Sequence, residues 1–93
     1  MQIKAKRTKY LERVVRGFSN HRRIEIMELL LVHPELSVIE IAKKLSINFK
    51  TASEHIRRLA ITGLVLKRDD FHSVRHKLTD RGLLVLKFLR TLE

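Results

Sequence analysis

The chain has 93 residues, 44% of them apolar, and this length suits a single domain, because separate cores usually need roughly 100 to 200 residues each. It has no cysteine, which excludes disulfides, thiolate metal sites and thiol nucleophiles. A formal net charge of +10 favours a polyanionic partner, either nucleic acid or anionic lipid. Residues 1–10 lack the apolar run of a secretory signal, and no stretch approaches the roughly 20 apolar residues of a membrane span. We therefore expect a soluble cytoplasmic protein with no membrane partner.

The positive charge is concentrated in two segments. Residues 1–23 hold eight basic side chains and one acidic one, and residues 48–79 hold seven basic and three acidic ones. Between them, residues 24–47 hold two basic and four acidic side chains. A polyanion would therefore be attracted by the N-terminal segment and by the segment after residue 47.

Two helices are predicted before the only proline. The first covers about Lys6 to Phe18 and is amphipathic and basic. The second is capped by Asn20, runs from His21 to His33 and stops at Pro34. Its apolar residues lie on several faces, so we expect it to be buried on nearly all sides. The first helix has an apolar face made of Leu11, Val14, Val15 and Phe18.

The third helix has strong local signals at its start. Ser37 and Glu40 form the S-x-x-E pattern of a capping box, while Leu36 and Ile41 occupy the two positions of a hydrophobic staple. The apolar stripe of this helix stops at Ser46, and a three-residue turn is expected to follow.

A fourth helix is predicted from Asn48, its N-cap, to Gly63, which can adopt the left-handed conformation of a C-terminal cap. Its helical spacing separates two faces. The inward face consists of Ala52, His55, Ile56 and Leu59; the outward face of Lys50, Ser53, Glu54 and Arg57, with Thr51 and Arg58 on a flank.

The pattern changes after Gly63 to two short β-prone runs, residues 64–68 and 74–78, around a polar loop. Thr79 can cap a last helix over residues 80–93 with a wide apolar stripe. A domain of this size could hardly cover that stripe, so we expect helices from both chain ends to pair in a homodimer; packing of the stripe within one chain stays open as the alternative. The stripe consists of Leu84, Val85, Phe88, Leu89 and Leu92.

Two helices joined by a tight turn and followed by a hairpin match the helix-turn-helix with a wing. In this order the sequence resembles the ArsR and MarR winged-helix regulators. NHRRIEIMELL resembles their first core helix, LSVIEIAKKLSINFKTASEHIRRLAITGLV their helix-turn-helix, and LTDRG at 78–82 their segment after the wing. The resemblance covers about residues 20–83 and rests on the order and spacing of these segments.

The resemblance implies a single winged-helix DNA-binding domain over residues 1–93, mainly α with a small β-hairpin wing (α+β). In it, residues 1–19 form a basic N-terminal helix or arm, and residues 20–63 a three-helix core with the helix-turn-helix at 37–63. Residues 64–78 form the wing, and residues 79–93 a C-terminal dimerisation helix.

The resemblance also implies that residues 48–62 form the recognition helix in the major groove of double-stranded DNA. Arg and Lys can read guanine O6 and N7, and Glu can accept from cytosine N4. The residues expected at base edges are Lys50, Ser53, Glu54 and Arg57; those expected at phosphates are Asn48, Thr51 and Arg58. The wing residues expected at the backbone or minor groove are Arg68, His72, Ser73 and Arg75.

The sequence departs from the resembled families at two places. Ser46 stands where their turn usually has Gly, and a non-glycine residue in a left-handed conformation costs on the order of 1 kcal/mol. Some ArsR relatives hold metals with Cys in the helix before the recognition helix or with Asp and His in the terminal helix; here residues 38–45 have no Cys and the terminal helix has no His, so no metal and no cofactor are expected. Asp69 and Asp70 are expected to form a turn and not a catalytic pair, so the protein is not expected to be an enzyme.

The function implied is that of a sequence-specific transcriptional regulator. The leading expectation is a homodimeric repressor. A two-fold dimer would place its recognition helices about 34 to 36 Å apart, so the target would be a short inverted repeat. Two alternatives stay open, namely sequence-independent architectural binding of DNA and a winged-helix module that docks on protein. For the basic N-terminal helix, a solvated face, a phosphate-contacting arm and a membrane-surface helix all stay open.

Overall fold

The computed structural model describes residues 3–93, which form five helices and one antiparallel hairpin. The winged-helix fold expected from the sequence is confirmed. The elements are α1 (Ala5–Phe18), α2 (His21–Val32), α3 (Val38–Leu45), α4 (Phe49–Ile61), β1 (Val65–Asp69), β2 (Val74–Leu78) and α5 (Asp80–Arg90). None of the helices in this range is long and apolar enough to cross a membrane.

Side-chain caps fix the starts of the last four helices. Asn20 and Asn48 each accept hydrogen bonds from two backbone N–H groups of the first turn that follows, and Thr79 accepts from the backbone of Gly82. At Ser37 the capping box is complete, since its hydroxyl accepts from the Glu40 amide at 3.2 Å and the Glu40 carboxylate accepts from the Ser37 amide at 2.9 Å. These starts confirm the predicted caps.

The hydrophobic core is built around α2, which contacts all the other helices and β2. The prediction that α2 is buried on nearly all sides is wrong, because Leu31 and Val32 are exposed at 46% and 70%. They lie in the last turn, where they line an open cavity together with Leu86 and Leu89 of α5. The residues of the buried cluster are Phe18, Ile26, Met27, Leu30, Leu36, Ile41, Ile56, Leu59, Leu64, Val65 and Leu86.

The helix-turn-helix turn is closed by Ser46 in the left-handed conformation, with φ 54° and ψ 45°. The turn therefore exists without the glycine found in the resembled families. Gly63, at φ +74°, adopts the left-handed conformation predicted for it after α4. Glu35 is a further residue at positive φ, in the connection between α2 and α3.

Helix α1 packs closely on the end of α4. Gly17 contacts the Thr62 side chain so closely that a Cβ at position 17 would overlap it. Arg81 reinforces this junction, since its guanidinium donates to the Thr62 carbonyl at 2.9 Å and to the Tyr10 hydroxyl at 2.5 Å. The orientation of α1 against α4 is thus fixed by the contact of Gly17 with Thr62 and by the hydrogen bonds of Arg81.

The hairpin pairs β1 with β2 in a register that sets Val65 opposite Leu78 and Asp69 opposite Val74. His76 belongs to β2 and is 1% exposed, with Nδ1 2.9 Å from the Leu36 carbonyl. Because a carbonyl only accepts, Nδ1 carries the proton. Burial lowers the pKa of His76, and the Leu36 hydrogen bond opposes this shift in part.

The apolar stripe of α5 is divided between the core and the surface. Leu86, which was not assigned to the stripe, is buried, and Val85 and Leu89 pack against the core cluster. The helix ends at Arg90, three residues before the predicted end at Glu93. The rest of the stripe points outward, because Leu84, Phe88 and Leu92 are 66%, 56% and 67% exposed.

Candidate nucleic-acid interface

Helix α4 divides its residues between the core and the surface as its sequence predicts. Ala52, Ile56 and Leu59 are buried, and His55 is half-buried. Among the outward residues, Ser53 is half-buried at the edge, and those exposed are Lys50, Thr51, Glu54, Arg57 and Arg58. The apolar side holds the helix on the core, so the polar side is free to enter a groove.

The amino end of α4 is capped by its own chain. The Asn48 side-chain oxygen accepts from the Lys50 amide at 2.7 Å and from the Thr51 amide at 3.3 Å. This cap fixes where the helix begins and therefore where Lys50 and Thr51 stand. Positive potential at a helix amino end adds to the attraction for a phosphate there.

Glu54 and Arg57 form an exposed ion pair at 3.3 Å, one turn apart. Exposed pairs of this kind contribute at most about 1 kcal/mol, so a better partner can replace either member. A guanine edge offers such a partner to Arg57, and a cytosine amino group offers one to Glu54.

The four wing residues predicted at DNA do not share one environment. Arg68 and His72 are exposed, although Arg68 lies 3.3 Å from the Glu35 carboxylate. Arg75 is half-buried and donates to the Glu35 carbonyl at 2.8 Å, and its Nε lies 3.5 Å from the Asp70 carboxylate. Ser73 is half-buried and its carbonyl accepts from the Asp70 amide at 2.8 Å. Arg68 and His72 are therefore the two of the four that are exposed to an approaching ligand.

Phe71 at the tip of the wing is fully exposed. Phe71 is not among the contacts predicted from the sequence, although its place in a polar loop is a signal that could have identified it. Single exposed apolar side chains are common on protein surfaces, so this exposure alone assigns Phe71 no role.

A cationic junction connects α4 to α1 and α2. His55 Nδ1 lies 3.3 Å from an Arg23 guanidinium nitrogen, and Arg23 also donates to the Arg16 carbonyl at 3.1 Å. Burial and the neighbouring Arg23 charge lower the pKa of His55, while burial and Arg58 lower the pKa of Arg23. His55 is therefore neutral at pH 7, and its Nδ1 accepts from Arg23.

Within residues 3–93, no group of three or more His, Asp or Glu side chains is arranged to hold a metal ion. The chemistry available at this face is hydrogen bonding and charge, supplied by the outer side of α4, the wing and α1.

A three-helix core whose last helix presents a polar face beside a β-hairpin defines a winged helix-turn-helix protein. The model of the MarR family matches residues 20–77, and the chain belongs to this family. It is a DNA-binding transcription regulator of this type, and members of the family are regulators, not enzymes.

Three solved structures show how far the fold is shared. The homodimeric winged helix-turn-helix DNA-binding domain (fragment 1–100) of a possible ArsR-family regulator from Mycobacterium bovis is 24% identical, with a TM-score of 0.81 covering 98% of this chain and 86% of that one. HlyU from Vibrio cholerae is 27% identical, with a TM-score of 0.79 covering 96% and 97%. The transcriptional repressor BigR from Xylella fastidiosa is 24% identical, with a TM-score of 0.75 covering 94% and 86%. No curated protein sequence matches the chain significantly.

Proposed function

We propose that the protein is a sequence-specific repressor that acts in the cytoplasm as a homodimer, with α4 in the major groove of double-stranded DNA. The observation that carries the proposal is the division of α4 into a buried apolar side and an exposed side rich in hydrogen-bonding groups. Such a side matches the donor and acceptor pattern that the major groove displays.

Base reading is assigned to the outward residues of α4. Lys50 and Arg57 donate to guanine O6 and N7, Glu54 accepts from cytosine N4, and Ser53 bonds to either type of edge. Reading adjacent bases separates Glu54 from Arg57, and this costs little because their ion pair is exposed.

Phosphate contacts are assigned to the amino end and the flank of α4, at Asn48, Thr51 and Arg58. In the wing, Arg68 and His72 contact the backbone or minor groove, together with Ser73. Arg75 contributes there through the Glu35 carbonyl, which holds the wing in place.

The homodimer is supported by apolar side chains exposed on both terminal helices. Leu11 and Val15 on α1 and Leu84 and Phe88 on α5 are each about half exposed or more. A two-fold interface would cover them, and the neighbour from Mycobacterium bovis is a homodimer with this fold. Light scattering at micromolar concentration tests this part: a dimer is expected, and a monomer would contradict it.

Repression requires only that the dimer occupy its site. A dimer that occupies an inverted repeat within a promoter blocks other proteins there, and it needs no activating surface to do so. The structural neighbour BigR is itself a transcriptional repressor. A promoter fused to a reporter gene should lose expression when the protein is present, and a rise in expression would contradict the repressor.

One observation favours sequence-independent architectural binding as a second function. Residues 1–23 hold eight basic side chains and one acidic one, which is charge that could attract any duplex. If this charge alone bound DNA, the affinities for a selected and a scrambled duplex would be equal.

The proposal is tested by two neighbouring arginines of α4 with different assigned roles. With a duplex selected from a random pool, Arg57→Ala should cost about 1–3 kcal/mol and relax one position of the site. Arg58→Ala should weaken selected and scrambled duplexes alike. Replacing Lys50 and Arg57 together without weakening DNA binding would favour a protein-docking module.

A further inference from the structure

The basic residues of α1 lie along one flank of the helix. Lys6, Lys9, Arg13 and Arg16 are spaced by three, four and three residues, so they fall within about a quarter of the helix circumference. The apolar Leu11 and Val15 lie on a different side. The flank is therefore a continuous line of cations along α1.

The close packing of Gly17 on Thr62 brings this flank beside α4. Arg13 and Arg16 from α1 and Arg57 and Arg58 from α4 line one open cavity of about 350 Å³. Its other charged side chain is a carboxylate, Glu12. Four guanidinium groups and one carboxylate thus face a common space.

The positive charge of this cavity is poorly compensated. Glu12 lies 3.9 Å from Arg16, and both side chains are largely exposed. Arg57 pairs with Glu54, which does not line the cavity. Arg13 and Arg58 form no ion pair within residues 3–93. In keeping with this, the charge of Arg58 also lowers the pKa of the neighbouring Arg23.

We propose that the cavity between α1 and α4 is a phosphate-binding site, which extends the DNA contact of α4 to α1 and so rests on the function proposed above. A guanidinium group can donate two parallel, charge-assisted hydrogen bonds to the oxygens of one phosphate. Cavities that bind apolar ligands have mostly hydrophobic walls, whereas here most lining residues are charged.

The source of the phosphate is the DNA backbone. Arg57 belongs both to the cavity and to the outward face of α4, so a base contact and a backbone contact can be made from adjacent points of one surface. A phosphate bound there carries no sequence information. The site therefore adds affinity for every duplex, while selectivity stays with α4.

The test replaces the two arginines of α1 and leaves α4 intact. The double variant Arg13→Gln, Arg16→Gln should lose affinity for DNA by about 10-fold or more. The loss should be the same for selected and scrambled duplexes. The slope of log affinity against log salt should fall by about 1 to 2. The matched control, Lys87→Gln with Arg90→Gln, removes two cations from α5. It should bind both duplexes with the affinity of wild type. Glu12→Gln should tighten binding to both duplexes, because it removes the opposing carboxylate.

Free phosphate is the other source, and an NMR titration of the wild-type protein with inorganic phosphate separates the two. Two results together would confirm the site and assign it to free phosphate. Arginine side-chain signals would respond to phosphate only when Arg13 and Arg16 are present, and the DNA affinity of the variant would be unchanged. Unchanged DNA affinity with no response to phosphate would overturn the site. Capture of wild type, but not of the variant, by phosphatidylserine vesicles, with DNA affinity unchanged, would also overturn it in favour of a membrane surface.

Failure of this site and failure of the proposed function give different results. If wild type prefers a selected duplex and the α1 variant binds it equally well, the site fails as a DNA contact and the regulator stands. If wild type binds all duplexes equally and the α1 variant loses affinity, the site stands and sequence-specific regulation fails. Circular dichroism melts of each variant show that the fold is retained.

Discussion

Replacement of Gly17 by Ala should destabilise the protein, although alanine is the better helix former. The added Cβ would stand 2.7 Å from Cγ2 and 2.8 Å from Cβ of Thr62 and would also overlap its Oγ1. Rotation of the threonine cannot relieve this overlap, because its Cβ is fixed by the backbone. Its hydroxyl is also held by a hydrogen bond to the Arg58 carbonyl at 3.0 Å.

The expected net cost is about 1–2 kcal/mol. Overpacking typically costs about 1–3 kcal/mol, and the intrinsic preference of a helix for Ala over Gly returns up to about 1 kcal/mol. For a domain of this size, each kcal/mol lowers the melting temperature by about 4–8 °C. The overlap with backbone-anchored atoms places the overpacking cost in the upper part of its range.

The assay is thermal and urea unfolding of Gly17→Ala, Thr62→Gly and the double variant at one protein concentration. Thr62→Gly removes all three overlapping atoms, so the double variant should be more stable than the sum of the single effects by about 1 kcal/mol or more. A Gly17→Ala protein as stable as wild type would refute the close packing of α1 on α4. Strict additivity in the cycle would do the same.

Three further predictions concern a cap, a turn and a buried histidine. Ser37→Ala breaks the capping box and should lower the free energy of unfolding by about 1 kcal/mol, as measured in urea; no change would argue against the box. At the turn, Ser46→Gly should raise the free energy of unfolding by up to about 1 kcal/mol and Ser46→Val should lower it, and the reverse order would contradict the left-handed conformation. Because burial lowers the pKa of His76 below 6.5, acid protonates the unfolded chain first. Unfolding free energy should therefore fall as pH drops below about 6.5, by at most about 1.4 kcal/mol per pH unit for this group. Urea titrations from pH 8 to pH 5 should show a weaker fall in His76→Leu, and an equal fall would contradict the burial.

The parts of the fold that the sequence predicts correctly depend on neighbours in the chain. Asn20, Ser37, Asn48 and Thr79 cap helices through backbone groups two or three residues away, and each was identified from the sequence. The two faces of α4 follow in the same way from helical spacing alone.

The parts that the sequence did not predict depend on residues far apart in the chain. Arg75 reaches the Glu35 carbonyl across 40 positions, so a residue assigned to DNA also fastens the wing. The cavity joins Arg13 and Arg16 to Arg57 and Arg58 only because α1 crosses α4 at Gly17. A lone glycine within a helical pattern was the available signal of that crossing.

The central claim is that the outward face of α4 selects a DNA sequence, and selection from a random duplex pool tests it most directly. Wild type should enrich a short inverted repeat whose half-site centres are about 10 to 10.5 base pairs apart. The variant Lys50→Ala, Arg57→Ala should lose that enrichment while it still binds DNA at low salt. A pool that wild type leaves unenriched, or the same repeat enriched by the variant, would contradict the claim.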